Sequence, residues 1–270
     1  MKRLGFFLAM LGWAVLGGVS VRAEETVHLA FLGDSNTDST YLPVERRLDQ
    51  VVLRKLKTLY PQQNLVAHNA GKSGATIPKF VAEGGAYHTK AKRPLREVDV
   101  CIIQFGCNDE DASTPDEFKK NLEELCDLAL ADFPGVKIVL CTSTSGKSRE
   151  WWEERGMSAE EPISLRYYSK TRTLAQDRGY PLIDIYACMV DAFKKGDWDL
   201  RIRNQKLSQQ FYGKAILDDS KDAERKAEGA AWFKDGHLNP HGMDLVAECI
   251  AKGLKAAFAE ALPNEGRPRP

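Results

Sequence analysis

Apolar residues along this chain fall into short continuous runs, separated by stretches in which they recur every three or four positions. Val27 to Leu32, Asn64 to Asn69, Val98 to Phe105, Val136 to Cys141 and Tyr180 to Tyr186 are the runs, most of them bounded by Gly, Asp, Asn or Pro. Their length and their turn-forming ends predict five buried strands. Between them the period changes. Leu48, Val51, Val52, Leu56, Leu59 and Tyr60 trace one face of a helix that stops at Pro61. Thr114, Pro115 and Glu117 form a capping box for a helix to about Phe133, with Phe118, Leu122, Leu125 and Ala129 on its inner face. Further helices are predicted from about Ser164 to Asp177 and from Asn239–Pro240 onward, through Val246, Cys249, Ile250 and Phe258. Strands alternating with helices predict one parallel α/β sheet covered on both faces, with no internal repeat and no linker to divide it.

The first 23 residues stand apart from this pattern. Lys2 and Arg3 precede an apolar stretch, Leu4 to Val19, and Val21-Arg22-Ala23 ends it with small residues at the cleavage positions. This predicts a signal peptide over 1–23, a run too short and Gly-rich to favour a spanning anchor. The expectation is an exported protein, periplasmic or extracellular, with one domain over 24–262 and a disordered Pro/Gly/Arg-rich tail over 263–270.

Charge adds little beyond exclusions. The 38 basic and 38 acidic residues cancel, and the three bases before residue 24 leave the remainder slightly negative. That balance argues against a nucleic-acid partner, and no later stretch predicts membrane insertion. Six cysteines in an exported chain allow disulfides, but Cys101 and Cys141 lie in strand runs and Cys126 and Cys249 in helical patterns. Free buried cysteines suit that distribution better, with the pairing of any of the six left open. Neither a CxxC nor a Cys/His spacing for zinc is present, so no metal is expected.

Two connections are long for a compact domain: Gly146 to Pro162, with Trp151 and Trp152, and Lys195 to Phe233. The tryptophans suit either a sugar-stacking platform or a hydrophobic clip, with the clip slightly ahead.

Three strand runs end in polar, Gly-marked turns: Ser35 after the first, Gly74 after the second and Asn108 after the third. Parallel strands place these ends at one sheet edge, where such folds bind ligands. Far downstream, Asp235 and His237 are two residues apart, and in an extended segment positions i and i+2 point the same way. A serine, an imidazole and a carboxylate to orient it are the parts of a nucleophilic triad. Asp34 and Asp109 read as strand-end hydrogen-bonding residues, and His28, His68 and His88 as structural.

In order, Gly33-Asp34-Ser35-Asn36, Asn69-Ala70-Gly71-Lys72-Ser73-Gly74, Gly106-Cys107-Asn108-Asp109 and Asp235-Gly236-His237 match four sequence blocks. On these the chain resembles the SGNH (GDSL-type) serine hydrolases, and the blocks bracket nearly all of it after residue 23. The resemblance implies a doubly wound, flavodoxin-like α/β fold with a parallel five-stranded sheet. It implies Ser35 as nucleophile, His237 as base, Asp235 as its orienter, and an oxyanion hole from the Ser35 and Gly74 N–H groups with the Asn108 amide. No cofactor is implied. The chain departs from the common D-x-x-H spacing: Lys234 stands where that spacing puts the acid, and lysine has no acceptor for an imidazole N–H.

The expected activity is hydrolysis of carboxylic esters, acetyl esters on carbohydrates first, from a small-molecule or polysaccharide substrate. The alternative within the chemistry is a lysophospholipase or short-chain aryl esterase. Outside it stand an O-acyltransferase and a non-catalytic carbohydrate-binding relative.

Overall fold

The computed structural model describes residues 26–147, 149–157, 159–198, 200–203, 234–259 and 262–263, with the backbone alone for 149, 150, 203 and 234–236. The predicted signal peptide, residues 264–270 of the predicted tail and most of the 195–233 connection lie outside the described residues.

Five parallel strands form the centre: β1 (Thr26–Gly33), β2 (Asn64–Asn69), β3 (Val100–Gln104), β4 (Lys137–Cys141) and β5 (Leu182–Ile183), in the order β2-β1-β3-β4-β5. β3 lies between β1 and β4, and all five of its residues are buried, which is why its first four, Val100 to Ile103, are a continuous apolar run. The chain leaves β1 toward β2 and then returns to the other side of β1 for β3. That reversal opens the crevice beyond the ends of β1 and β3, where Ser35 and Asn108 stand.

Helices cover the sheet in two groups. α2 (Leu48–Leu59), α7 (Ile185–Lys194) and α8 (Pro240–Ala257) pack together, as do α3 (Ile77–Val81), α4 (Pro115–Asp132) and α6 (Ser169–Arg178). Three of them use the periodic face the sequence predicts: Val51, Val52 and Leu56 on α2, Phe118, Leu122, Leu125 and Ala129 on α4, Val246 and Ile250 on α8. The capping box of α4 is present, with the Thr114 N–H donating to the Glu117 carboxylate (2.8 Å) and the Glu117 N–H to the Thr114 hydroxyl (3.4 Å). Asn239 caps α8 by accepting the Gly242 N–H at 2.8 Å.

Several expectations need correction. The predicted Tyr180–Tyr186 strand is only Leu182–Ile183, because the Asp184 carboxylate accepts the Ala187 N–H (3.1 Å) and starts α7 one residue later. Ile185 and Tyr186 are apolar for packing under that helix, not for a strand. The predicted 164–177 helix opens as a π-helical turn, Ser164–Tyr168, before α6. Cys188 of α7 and Cys249 of α8 form a disulfide, whereas Cys101, Cys126 and Cys141 are free and buried. Helical periodicity assigns a residue to a face but does not say which helix lies opposite, so the pair was not legible. The Gly146–Pro162 connection contains α5 (Arg149–Arg155), and Trp152 there is fully buried against Phe193, which makes it a clip. Trp151 stays half-buried, with the Arg155 guanidinium 5.1 Å from its ring centroid.

Candidate active site

β1 ends at Gly33, where any side chain would run into Thr37 and into the Gln104 carbonyl, 2.6 Å from where its Cβ would stand. Glycine therefore lets the first turn close tightly on β3. Asp34 caps the short helix α1 (Ser35–Asp38), accepting the Asn36 N–H at 2.9 Å and the Cys107 thiol at 3.0 Å. Burial pushes the Asp34 carboxyl above the usual range, opposed by those two bonds and by the nearby His237 imidazole. Ser35 is the first residue of α1 and only 7% exposed. Its N–H is one of the donors a helix start leaves unpaired, and it has no acceptor among the described residues.

The turn after β2 is tied to α1 from two directions. Asn69 donates to the Thr37 carbonyl and to the Asp49 carboxylate, both at 2.8 Å. Asp38 accepts the Ser73 hydroxyl (2.8 Å), the Ser73 N–H (3.2 Å) and the Lys90 ammonium (3.2 Å). Burial opposes the Asp38 charge, but the bonds from Ser73, Lys90 and Thr40 outweigh it and hold the carboxyl below its ordinary value. Gly74 follows with φ +71°, a conformation that a side chain would strain, and its N–H also lacks an acceptor among the described residues.

The turn after β3 joins the other two. The Asn108 side-chain amide donates to the Ala75 carbonyl at 3.1 Å, which leaves its second N–H for another acceptor. Asp109 accepts the Ile77 N–H (2.8 Å) and the Gly106 N–H (3.1 Å). Burial pushes its carboxyl up to about 6. Asp34 and Asp109 are thus the strand-end hydrogen-bonding residues that the sequence predicts.

His237 comes from a separate two-stranded antiparallel ribbon, β6 (Arg201–Arg203) and β7 (Lys234–Leu238), which runs into α8. Its half-buried ring meets the Tyr41 ring edge-on, with centroids 4.9 Å apart. Ser35, Asn108 and His237 line one cavity of about 490 Å³. Gly74 does not line it; it stands on the wall of a neighbouring cavity of about 470 Å³. The Asp235 carboxylate lies outside the described residues, so three of the five predicted site residues share a cavity and a fourth borders the next one.

The structure adds residues that the sequence did not flag. Glu161, fully buried, reaches the first cavity and accepts the Ser145 hydroxyl and the Gly146 N–H (3.3 Å). Burial raises its carboxyl against those bonds and the charges of Lys147 and Arg201. Arg201 of β6 donates to the Gly146 carbonyl at 2.6 Å and to that of Lys147, joining the ribbon to the loop after β4. The only sequence signal for this corner was the length of the Gly146–Pro162 connection. Among the described residues, no group of three or more His, Cys, Asp or Glu side chains is placed to hold a metal ion.

Residues 31–245 match the model of the GDSL-like lipase/acylhydrolase family. Among solved structures, the chain is similar to Axe2, an acetylxylan esterase from Geobacillus stearothermophilus. The two are 18% identical with a TM-score of 0.56, over 84% of this chain and 93% of that one. A two-domain esterase active on acetylated mannans, solved with mannopentaose, is 18% identical with a TM-score of 0.58. That match covers 91% of this chain but 53% of the other, so this chain spans about half of that enzyme. A lipolytic G-D-S-L family member from Veillonella parvula DSM 2008 is 15% identical with a TM-score of 0.54, over 84% and 97% of the two chains. At these identities the likeness is one of fold. No curated protein matches the chain in sequence.

Proposed function

The chain belongs to the GDSL-like lipase/acylhydrolase family of ester hydrolases, and from that premise we propose that it is an exported serine esterase that removes acetyl groups from carbohydrates. The observation that carries the reading is the convergence of Ser35, Asn108 and His237 on one cavity from three distant parts of the chain.

In this reading Ser35 Oγ attacks the ester carbonyl carbon while His237 takes its proton, with Asp235 holding the imidazole in orientation. The negative charge that develops on the carbonyl oxygen is received by the Ser35 N–H, the Gly74 N–H and the free N–H of Asn108. Two of these are backbone donors with no acceptor of their own among the described residues, so meeting the oxyanion requires no bond to be broken. The tetrahedral intermediate collapses, the alkoxide of the sugar leaves with the proton from His237, and an acetyl group remains on Ser35. Water, deprotonated by His237, then releases acetate.

The carbohydrate acetyl ester as substrate is supported by the likeness to esterases acting on acetylated xylan and mannan. The mixed lining of the cavity, with Glu110, Glu161, Lys147 and Arg166, suits a polar alcohol better than a long acyl chain. Export is supported by the apolar stretch after Lys2 and Arg3; among the described residues no helix is long and apolar enough to cross a membrane. No cofactor enters the mechanism, and we take 24–262 as the catalytic domain.

The test is a panel of acetylated xylan, acetylated mannan, 4-nitrophenyl esters of increasing chain length and lysophospholipid, with wild type and Ser35→Ala. Acetyl esters are expected to be hydrolysed fastest, with turnover lost in Ser35→Ala. Equal turnover by the two proteins would contradict the mechanism, and a preference for long acyl chains would contradict the substrate.

A further inference from the structure

The second cavity has no part in the chemistry just described, apart from Gly74 on its wall, and its lining is of one sign. Lys72, Lys79 and Lys90 border it, and no acidic residue does. Lys90 is neutralised by Asp38, whose carboxylate also accepts from Ser73 and Thr40. Lys72 and Lys79 have no acidic partner among the described residues. Glu83 precedes Gly84 of the lining in sequence, yet is not on the wall itself. The floor is apolar, with buried Phe80, Ala75 and Ala86, and the rim at Gly84 and Gly85 carries no side chain. At about 470 Å³ the cavity falls within the size of small-molecule sites, roughly 300–1,000 Å³.

Lys72 and Lys79 are exposed residues bordering one cavity, and two ammonium groups on the same concave surface raise the positive potential there, which favours an anion. The first cavity differs: Glu110 and Glu161 there balance Lys147 and Arg166. The charge asymmetry therefore belongs to this pocket and not to the face as a whole. Its apolar floor suits the C–H face of a sugar ring, and the ammonium groups suit a charged substituent on that ring.

We propose that this cavity is a subsite for an anionic sugar, with Lys72 and Lys79 holding its carboxylate or sulfate. An acetylated acidic saccharide would then lie across Gly74, with its ester in the first cavity and its charged residue in the second. The placement of the ester rests on the esterase mechanism above; the binding of the anionic sugar does not.

The experiment titrates Ser35→Ala protein with xylotriose, with xylotriose bearing one glucuronate, and with xylotriose bearing one sulfate, by calorimetry. It is repeated in the background Ser35→Ala, Lys72→Gln, Lys79→Gln. Each exposed charge pair is worth a few-fold in affinity, so the charged sugar should bind roughly tenfold more tightly than the neutral one. That ratio should fall toward one in the lysine variant and at high salt. Preference for glucuronate alone, or for sulfate alone, supports the subsite and names its anion. Equal binding of neutral and charged sugars, or a ratio unchanged by the lysine substitutions, would overturn it. Because binding is read without the Ser35 hydroxyl, an inert wild type would contradict the esterase mechanism, and a flat ratio would contradict the subsite.

Discussion

Ser35 and His237 reach the same cavity from different kinds of support. Ser35, Gly74 and Asn108 stand on turns that end β1, β2 and β3, and polar side chains join those turns. Asn69 ties α1 to α2 and to the turn after β2, Asn108 ties the third turn to the second, and Asp109 anchors the backbone on both sides. His237 stands on the β6–β7 ribbon, outside the five-stranded sheet and held by α8 and by Arg201 against the 146–147 backbone. One half of the site is built by the register of the central sheet. The other is carried to it by a helix and a loop. Errors in sheet packing should therefore strike the proposed oxyanion donors and the proposed nucleophile together, whereas changes to α8 should reach the imidazole alone.

The largest expected effect breaks the sheet-borne half. Asn108→Ala removes the proposed side-chain donor to the oxyanion and the bond to Ala75, and should lower kcat by about 10²- to 10³-fold with a smaller change in KM. Steady-state kinetics on an activated acetyl ester checks this. A change confined to KM would place Asn108 in ground-state binding instead.

Next comes the support of the other half. The Cys188–Cys249 bond joins α7 to α8, the helix that follows His237 in the chain. The double variant Cys188→Ser, Cys249→Ser should lose about 2–4 kcal/mol of stability by denaturant titration. On the comparison above, its residual defect in turnover should be matched by a change at His237 and not at Ser35. Ring-proton NMR of His237 beside the labelling rate of Ser35 separates the two.

The smallest effect is a pH dependence. Burial raises the Asp109 carboxyl to about 6, so its native form binds a proton more tightly than the unfolded chain does. The sign follows: the contribution of Asp109 to stability is complete below its unfolded value and is lost as pH rises through about 6. Two pKa units correspond to about 3 kcal/mol at most. Asp109→Asn keeps an acceptor but does not titrate, so wild type should lose stability relative to it between pH 4 and pH 6. Thermal unfolding across that window checks it, and parallel curves would contradict the assignment.

The same contrast explains what could be read from the sequence. Leu29 to Leu32 of β1 and Val100 to Ile103 of β3 are buried and so appear as unbroken apolar runs with abrupt polar ends, and the turns carrying Ser35 and Asn108 followed directly. Glycine at 33 and at 74 was legible as a turn signal, although the Thr37 contact and the positive φ that require it are features of the folded chain. Ile185 and Tyr186 misled because an apolar run of this length suits a strand or a buried helix end equally, and the cap at Asp184 decided it. Glu161 and the lysine-lined cavity were illegible for another reason: their neighbours in space come from separate segments with no shared periodicity. The family match over residues 31–245 agrees with the four sequence blocks, whereas the carboxylate behind His237 rests on the Asp235-Gly236-His237 spacing alone.

The central claim is that Ser35 is the nucleophile, and covalent trapping tests it most directly. Wild type treated with a fluorophosphonate and analysed by intact and peptide mass spectrometry should gain one phosphonyl group, on Ser35, as esterase activity falls to zero. Ser35→Ala should gain none. Full inhibition with the label on another residue, or ester hydrolysis that continues with Ser35 fully labelled, would contradict the account.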